Sequence, residues 1–298
     1  MKERNKIIAT NLPVSVVITA YNRDKYIIDA IESVLNSSFA NFELLIIDDC
    51  STDNTYKIAK IFEQKDSRIR LLKNNQNLGQ FANRNKAILL SKGEYIKFVD
   101  SDDKIAPNGL ELMVNAMRAF PHAGIGVPVS GLSNITPPIV INPHDSVLNH
   151  YLGSFHLSLG PTAVIFKKEV LLKFGLFEPS FGILADTLLN IKIACISPTV
   201  LFEKDLFFWR IHDEQVTVQQ KDSVRMVRER FTIMKAIMGY KNLPLNKVET
   251  TLILRNFTKI NTMHFLRHMY KGKLKDAFQI KSDTGLTIFK VIKAIINN

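Results

Sequence analysis

The chain has 298 residues, of which 46% are hydrophobic and 22% charged, proportions typical of a globular protein rather than a disordered one. No run reaches the roughly 18–20 consecutive apolar residues of a membrane-spanning helix, so any membrane contact is expected to be peripheral. The formal net charge is +11, and the whole excess lies in residues 221–298, which hold 16 Lys and Arg against 5 Asp and Glu, whereas residues 1–220 hold 23 of each.

The first hundred residues alternate short apolar runs with amphipathic segments. The apolar runs predict strands that are buried on both faces, and the amphipathic segments have the i, i+3, i+4, i+7 spacing of helices. In chain order we predict a strand at 14–20, a helix at 25–35, a strand at 42–47, a helix at 55–62, a strand at 69–72, a helix at 81–91 and a strand at 95–99. This alternation predicts an α/β fold with an open, mostly parallel sheet flanked by helices.

The rest of the chain divides into a mixed region and a helical tail. We predict a helix at 107–120, strands at 124–129, 139–141 and 162–166, helices at 168–174 and 187–194, a strand at 206–210, and helices throughout from 223. The sequence therefore predicts an α/β domain over 1–220 and a basic, helical C-terminal extension over 221–298.

Cysteine use and the N-terminal residues bear on the compartment. Cys50 and Cys195 are the two cysteines, and each lies in an apolar run. The charged N-terminal residues are not followed by an apolar segment of signal-peptide length. We expect a reducing, cytoplasmic environment.

Polar side chains follow three of the predicted strands at the point where each strand ends. Thr19 and Ala20 end the first strand, and Tyr21 and Arg23 follow it. Asp49 follows the second strand, and Asp100, Ser101 and Asp102 follow the fourth. Ligands of open α/β sheets bind at the carboxyl ends of the strands, so these residues are expected to converge on one edge. Tyr21 can lie against a planar base, Asp49 can accept the imide N–H of uracil or thymine, and Arg84 can face phosphate.

The carboxylates of Asp100 and Asp102 give the strongest chemical signal. In an extended D-x-D segment both side chains lie on the same side. Divalent cations such as Mn²⁺ or Mg²⁺ prefer oxygen ligands, and they neutralise a diphosphate well. The segment therefore predicts a metal and phosphate site; its structural alternative is a solvated turn that caps the following helix.

These residues together resemble family 2 glycosyltransferases, the inverting group with the GT-A fold. The resemblance rests on VSVVITAYNRDKYIIDAIESVL, LLIIDDCSTDNT, NLGQFANRNKAI and GEYIKFVDSDD, which occur in this order over residues 13–104. A weaker continuation is AVIFKKEVLLKFGLFEPSFGILADTLLNIKIA, similar to the family's acceptor region, followed by WRIHDEQVT, similar to its later histidine motif. The tail after about residue 220 lies outside the resemblance.

The resemblance implies a role for each matching position. Thr19, Tyr21, Asp49 and Arg84 match residues that hold the nucleotide, Asp100 and Asp102 match the D-x-D site, Asp186 matches the catalytic base, and His212 matches a histidine near the diphosphate or metal. We add Ala20, Arg23 and Ser101 to the nucleotide-binding residues and group Asp102 with His212 as metal ligands. One departure is that the family's acidic motif is commonly Glu-Asp, whereas here it is Ala185-Asp186.

The expected reaction moves a sugar from a nucleoside diphosphate, with UDP favoured over dTDP and GDP, to an acceptor hydroxyl with inversion. Asp186 is expected to remove the hydroxyl proton, and Asp102 with a divalent metal to stabilise the leaving diphosphate. Asp186 has the alternative of serving only as a helix cap, and His212 of being an ordinary edge histidine. Glu178 and Asp213 are nearby alternatives for acid–base chemistry.

The basic tail favours contact with an anionic surface. Its last stretch places Leu286, Phe289, Ile292, Ile295 and Ile296 on one side of a helix, which suits a membrane interface. We expect docking on the inner face of the plasma membrane, near a lipid-linked saccharide acceptor. Internal packing of the tail and pairing of two subunits are the alternatives, while nucleic-acid binding is disfavoured because interleaved aromatic residues are lacking. The oligomeric state stays open.

Three other functions compete with glycosyl transfer. A dinucleotide-dependent oxidoreductase needs G-x-G-x-x-G after its first strand, where this chain has TAYNRDKY. A sugar nucleotidyltransferase lacks its glycine-rich phosphate loop here. A nucleotide-sugar-binding scaffold that has lost catalysis is the remaining alternative, and Ala185 gives it some weight.

Overall fold

A computed structural model describes residues 13–128, 137–153, 156–212, 223–287 and 289–292. These residues form two compact units that interleave along the chain. The first unit comprises the described residues up to Val140 together with Gly160–Phe177 and Val200–Arg210. The second comprises Ile141–Leu159, Glu178–Thr199 and the described residues from Ile211 onward. Because residues 213–222 lie outside the described part, the predicted boundary near residue 220 stays a prediction.

In the described part of the chain, ten strands form two sheets. They are β1 Val14–Ala20, β2 Phe42–Asp48, β3 Ile69–Lys73, β4 Tyr95–Phe98, β5 Lys104–Ile105, β6 Ile125–Pro128, β7 Ile139–Ile141, β8 Ile165–Lys167, β9 Thr199–Phe202 and β10 Phe207–Phe208. The larger sheet has the order β3-β2-β1-β4-β8-β6-β9-β7, and β5 with β10 makes a separate antiparallel pair. The strands β3, β2, β1 and β4 pair in parallel, whereas β8 runs antiparallel to both β4 and β6.

Within the described residues up to 284, ten helices surround or follow these strands. They are α1 Ile27–Leu35, α2 Thr55–Lys65, α3 Gln80–Leu90, α4 Gly109–Ala119, α5 Pro143–Leu152, α6 Lys168–Phe174, α7 Ala185–Ala194, α8 Ser223–Met238, α9 Lys247–Tyr270 and α10 Leu274–Thr284. Two short 3₁₀ turns lie at Pro161–Ala163 and Pro179–Leu184. The predicted α/β fold with a mostly parallel sheet and C-terminal helices is confirmed.

The core of the first unit explains why its strands read as continuous apolar runs. Val16 and Ile18 of β1 are fully buried against apolar residues of α1, α2 and α4, while α3 contacts β1 and β2. Helices therefore cover both faces, and each fully buried aliphatic side chain contributes about 1.5–3 kcal/mol. Gly93 precedes β4 where the backbones crowd: a Cβ there would lie 2.3 Å from the Ser15 amide nitrogen.

The sequence predictions missed three elements, α5, β9 and the two-residue strand β5. The prolines around residues 128–161 suggested only short pieces, yet Pro143 occupies the first turn of α5, where its missing N–H costs nothing. Asn142 caps this helix by accepting the Asp145 amide at 2.9 Å. The predicted strand at 206–210 is shorter than expected, because only Phe207–Phe208 pairs with β5. Residue 129 of the predicted strand at 124–129 lies outside the described part.

The helices of the second unit pack on one another through small apolar contacts. Val224 and Val227 of α8 cluster with Ile280 of α10, and Phe265 of α9 packs against this cluster. The ring of Tyr151 in α5 meets the ring of Phe257 in α9, with centroids 6.0 Å apart. None of the helices in the described ranges is long and apolar enough to cross a bilayer.

Candidate functional site

Hydrogen bonds join the turns that follow β1 and β2. The Asn22 amide donates to Ser51 Oγ at 3.0 Å, and the Thr52 amide donates to Asn22 Oδ1 at 2.9 Å. Asn22 has φ +52°, a conformation that asparagine adopts more readily than most residues. The Arg23 amide donates to Thr55 Oγ1 at 2.7 Å. The backbone around residues 20–24 is therefore fixed by the second strand–helix turn.

Asp49 lies at the end of β2 and is only 3% exposed. Its Oδ1 accepts hydrogen bonds from Asn74 Nδ2 at 2.6 Å and the Leu78 amide at 2.9 Å. Its Oδ2 accepts the Gly79 amide at 2.9 Å. Since a carboxylate accepts about four hydrogen bonds, this set leaves capacity for one further donor at Oδ2.

Arg84 on α3 forms an ion pair with Asp100 at the end of β4. Its Nη2 lies 2.6 Å from Asp100 Oδ1, and the Arg84 side chain is 7% exposed against 30% for Asp100. The guanidinium also lies over the rings of Phe81 and Phe177, at 5.4 and 5.9 Å from their centroids. These contacts hold the Arg84 guanidinium at the sheet edge in one orientation.

Asp102 faces a second arginine from a different turn. Arg23 Nε lies 3.5 Å from Asp102 Oδ2, and the two side chains are 22% and 14% exposed. The Asp102 carbonyl accepts from Arg210 Nε at 3.1 Å, and Arg210 also pairs with Asp29 of α1. Each carboxylate of the D-x-D segment thus has a guanidinium partner.

Two buried residues, Lys97 and Thr162, support the D-x-D segment. Thr162 Oγ1 accepts the Asp100 amide at 3.0 Å, and the Thr162 carbonyl accepts from Lys97 Nζ. Burial lowers the pKa of Lys97 to about 7, and burial together with the nearby Asp100 carboxylate raises the pKa of Asp103 to about 7. The D-x-D turn is therefore anchored through its backbone, which leaves its first and third side chains at the edge.

The remaining predicted residues of this edge differ in exposure. Tyr21 is 44% exposed, which leaves its ring available to a ligand, whereas Ala20 and Ser101 are buried at 2% and 6%. Ala20 contributes through its backbone, because its carbonyl accepts the Asp49 amide at 2.7 Å. Thr19, the second-last residue of β1, is partly buried.

The carboxylates fit a divalent cation that shares its ligands with phosphate. Among the described residues, no three His, Cys, Asp or Glu side chains converge as a metal-binding group. Magnesium-type ions in phosphate-transfer sites are nonetheless held by one or two carboxylates plus substrate phosphates and water. Asp100 and Asp102 supply this number, and the 3.5 Å Arg23–Asp102 contact is longer than a close ion pair.

Asp186 and His212 belong to the second unit. Asp186 lies in the first turn of α7, whose N-cap is Leu184, and its Oδ1 accepts the Thr187 amide at 2.8 Å. Asp186 therefore accepts a helix N-terminal donor without being the cap residue. His212 is partly buried. Glu178 pairs with Lys192 of α7, and Asp213 lies outside the described residues.

Sequence reasoning missed three residues that support the edge: Lys97, Thr162 and Arg210. Lys97 carried a usable signal, because a lysine inside an otherwise apolar strand needs a specific partner. Thr162 and Arg210 carried none, since they reach the D-x-D turn from segments about 60 and 110 residues further along the chain.

A family comparison agrees with the early motifs. Residues 15–160 match the family model Glycosyl transferase family 2. Among curated proteins, the chain is 38% identical over 105 residues to glycosyltransferase GlyG of Streptococcus pneumoniae serotype 4, covering 35% of each chain. It is 42% identical over 104 residues to an Escherichia coli protein named UDP-Glc:alpha-D-GlcNAc-diphosphoundecaprenol beta-1,3-glucosyltransferase WfgD, covering 35% of this chain and 40% of WfgD. The match thus spans less than half the length of both relatives.

Solved structures share the fold over nearly the whole chain. Staphylococcus aureus TarS 1-349 in complex with UDP-GlcNAc superposes with a TM-score of 0.67 at 20% identity, covering 95% of this chain and 81% of TarS 1-349. Mannosyltransferase PcManGT from Pyrobaculum calidifontis, in complex with GDP-Man and Mn²⁺, gives 0.60 at 16% identity, covering 97% and 88%. At these identities the likeness establishes the fold.

Proposed function

Residues 15–160 form a family 2 glycosyltransferase domain of GT-A fold, and from this premise we propose that the chain transfers a sugar from a nucleoside diphosphate to an acceptor hydroxyl in polysaccharide or glycolipid synthesis. One observation carries the proposal: two arginines hold the two outer carboxylates of the D-x-D turn at the carboxyl edge of the sheet. Such paired charges suit a ligand that brings both a diphosphate and its cation.

The donor would lie along the edge formed by the turns after β1, β2 and β4. The exposed ring of Tyr21 offers a surface for a base, and Asp49 has one acceptor position left for an imide N–H. Uracil and thymine both carry such a donor, and of the two nucleotides we propose UDP. The relative WfgD is named for UDP-Glc and TarS 1-349 was solved with UDP-GlcNAc, which supports the same choice.

Charge at the diphosphate would be neutralised by the chain and by a divalent cation. Asp102 is the proposed protein ligand of Mn²⁺ or Mg²⁺, with His212 as a second candidate, and the cation would stabilise the leaving diphosphate as a Lewis acid. Arg23 can turn from Asp102 towards phosphate once a cation takes its place, because the pair is long and partly exposed. Arg84 keeps Asp100 oriented as an acceptor for the ribose or for metal-bound water.

Transfer with inversion requires a base for the acceptor hydroxyl. We assign this role to Asp186, since its place in the first turn of α7 stabilises a negative charge. Attack from the face opposite the diphosphate would invert the anomeric carbon. WfgD is named for a diphosphoundecaprenol acceptor, so we propose a lipid-linked saccharide acceptor at the inner face of the plasma membrane.

Thermal unfolding with nucleotides tests the donor site directly. A ligand that binds only the folded state raises the melting temperature by mass action. We expect UDP with Mn²⁺ to raise it more than dTDP or GDP with Mn²⁺, and UDP without metal to have a smaller effect. The variant Asp102→Asn should lose the metal-dependent part of the shift.

A matched control is Asp205→Asn. Asp205 is exposed and has φ +67°, a conformation that asparagine tolerates, so the change should leave every nucleotide shift as in the wild type. If Asp102→Asn kept the full shift, the proposed metal ligand would be wrong. If no nucleoside diphosphate stabilised the wild type with or without metal, the proposed donor site itself would be lost.

A further inference from the structure

One face of α9 presents exposed apolar side chains in its first turns and again in its last turns. We use the name outward stripe for five exposed residues on this face. They are Val248, Leu252, Met263, Leu266 and Tyr270, whose side chains are 78%, 44%, 59%, 38% and 94% exposed. With 100° of rotation per residue these five positions lie within an arc of about 60°. From Val248 to Tyr270 they extend over about 33 Å of helix.

The opposite face of α9 is the one that packs within its unit. Ile253 is fully buried, Asn261 and His268 are nearly so, and Phe257 meets Tyr151 of α5. The helix therefore carries apolar residues on two opposite sides, and among the described residues of its unit only one of these sides is covered. Exposed apolar patches of this kind mark interaction sites, so the outward stripe is a candidate docking surface.

Basic side chains lie between the apolar residues of the outward stripe, and no acidic side chain does. Arg255 and Lys259 fall inside or at the margin of the same arc, and both are exposed. The single acidic residue of α9, Glu249, accepts the Asn246 amide and pairs with His144. Long basic side chains can lay their aliphatic stems along an apolar surface while their charges reach outward.

We propose that the outward stripe of α9 docks on an anionic lipid bilayer, with the helix lying in the plane of the interface. Apolar side chains enter the acyl boundary, and Arg255 and Lys259 meet lipid phosphates, which is the arrangement of interfacial helices. The excess of 16 basic over 5 acidic residues in 221–298 supplies the matching long-range attraction.

A second copy of this chain fits the stripe less well. In a two-fold pair whose axis passes near the middle of the helix, Arg255 and Lys259 would meet their own counterparts. Like charges at such a contact oppose association, whereas an anionic surface neutralises them. The inference goes beyond the proposed transferase activity, because it concerns a surface of the second unit and needs no nucleotide.

Vesicle flotation without nucleotide tests the inference. The full chain is mixed with phosphatidylcholine vesicles that contain about one third phosphatidylglycerol, and with vesicles of phosphatidylcholine alone. We expect the wild type to float with the anionic vesicles. The double variant Leu252→Glu/Met263→Glu should reduce partitioning at least about tenfold, because it places charge in the part that enters the acyl boundary.

Two further variants make the result specific. Arg255→Gln/Lys259→Gln should reduce binding to anionic vesicles about tenfold and leave binding to neutral vesicles unchanged. Ile61→Glu/Leu89→Glu changes side chains that are 50% and 61% exposed in the first unit, and it should float as the wild type does. Circular dichroism checks that all variants keep their helices.

Three results would overturn the inference. One is a wild type that does not float with anionic vesicles, and another is a Leu252→Glu/Met263→Glu variant that floats like the wild type. The third is a variant that changes the oligomeric state in sedimentation without vesicles while vesicle binding is unaffected, which would assign the stripe to a second copy. A negative flotation result leaves the nucleotide-shift test of the transferase untouched.

Discussion

The two units handle buried polar groups in different ways. At the edge of the first unit, the partly accessible carboxylates of Asp100 and Asp102 are held by ion pairs, Asp100 with the buried Arg84 and Asp102 with Arg23. In the second unit, a buried cluster is built from neutral groups: Ser146 Oγ lies 3.0 Å from Thr199 Oγ1 and 3.3 Å from His156 Nε2.

The difference indicates that the charged side chains at the edge of the first unit are placed to bind a ligand. The neutral polar side chains of the second-unit cluster only satisfy one another's hydrogen bonds within the packed interior. Keeping ionised groups away from water is costly unless something offsets it, so a fold retains them where a charged ligand will arrive. A neutral buried cluster needs only satisfied hydrogen bonds. Asp186 is the test of this contrast in the second unit, because there a carboxylate is proposed to do chemistry.

The largest expected effect is on turnover in Asp186→Asn. Loss of a general base lowers kcat by about 10²–10⁴-fold, while the amide keeps the size of the side chain. Nucleotide binding should be unchanged, so the thermal shift with UDP and Mn²⁺ should equal that of the wild type. UDP release with acceptor measures kcat, and Asp276→Asn, also in a first helical turn of the second unit, is the control. Equal turnover in both variants would remove Asp186 from the reaction.

The next effect concerns acid stability and His156. Burial lowers the pKa of His156 from 6.5 to about 4. Between these values the unfolded chain binds a proton that the folded chain does not, so the free energy of unfolding falls as the pH drops through this window. The fall attributable to His156 is at most about 3 kcal/mol.

Urea unfolding of His156→Gln at several pH values between 4 and 7 measures this slope. The variant should lose less stability on acidification than the wild type, whatever its stability at pH 7. His150, whose ring centroid lies 6.2 Å from that of His156, is the nearest other imidazole and stays in both proteins. The exposed His122→Gln serves as control and should keep the wild-type slope. Parallel curves for wild type and His156→Gln would contradict the prediction.

A smaller effect separates the ion pair at the site from one elsewhere in the first unit. Arg84→Met removes a nearly buried cation and leaves Asp100 without its partner, which should cost about 2 kcal/mol. Arg68→Met breaks the Arg68–Asp66 pair, whose side chains are 31% and 23% exposed, and should cost less than about 1 kcal/mol. Chemical denaturation of both variants measures the two losses in the free energy of unfolding. Equal losses would mean that the Arg84–Asp100 pair contributes no more than a surface pair.

How far the sequence predicts the fold depends on the range of the interactions. The strands β1, β2 and β4 were predicted to within one residue at each end and the helices between them to within three, because their apolar periodicity is local and strong. The helix α5 was missed, since its prolines were read as breaks although Pro143 starts the helix. The strand β9 gave too short an apolar signal to be distinguished from a loop.

The site shows the same limit. Sequence order placed Asp100 and Asp102 at a strand end, but it did not predict that Arg23 and Arg84 would be their partners. Thr162 lies in the 3₁₀ turn that precedes β8, and it is the antiparallel pairing of β8 with β4, which no local pattern encodes, that brings it to Asp100. The predicted apolar side of residues 286–296 falls partly outside the described residues, whereas the exposed stripe of α9 emerged only when burial was known.

The smallest expected effect tests the start of α9, the helix that carries the outward stripe. Asn246 accepts the Val248 and Glu249 amides at 2.8 and 3.0 Å, and Glu249 Oε2 accepts the Asn246 amide at 2.9 Å. This capping box satisfies three donors that would otherwise lack partners at the helix start. Asn246→Ala should therefore cost about 1 kcal/mol, and Asn246→Ser, which keeps an acceptor, only a few tenths.

Hydrogen exchange of the first turn of α9 is the sensitive readout, because the loss is local. Asn246→Ala should raise exchange at residues 247–251 and leave the amides of β1 and β2 unchanged, since those strands belong to the other unit. The same variant should weaken vesicle flotation slightly, because Val248 at the end of the outward stripe would be held less firmly. Faster exchange in β1 as well would mean that the two units unfold as one, and the contrast between them would then apply to chemistry but not to stability.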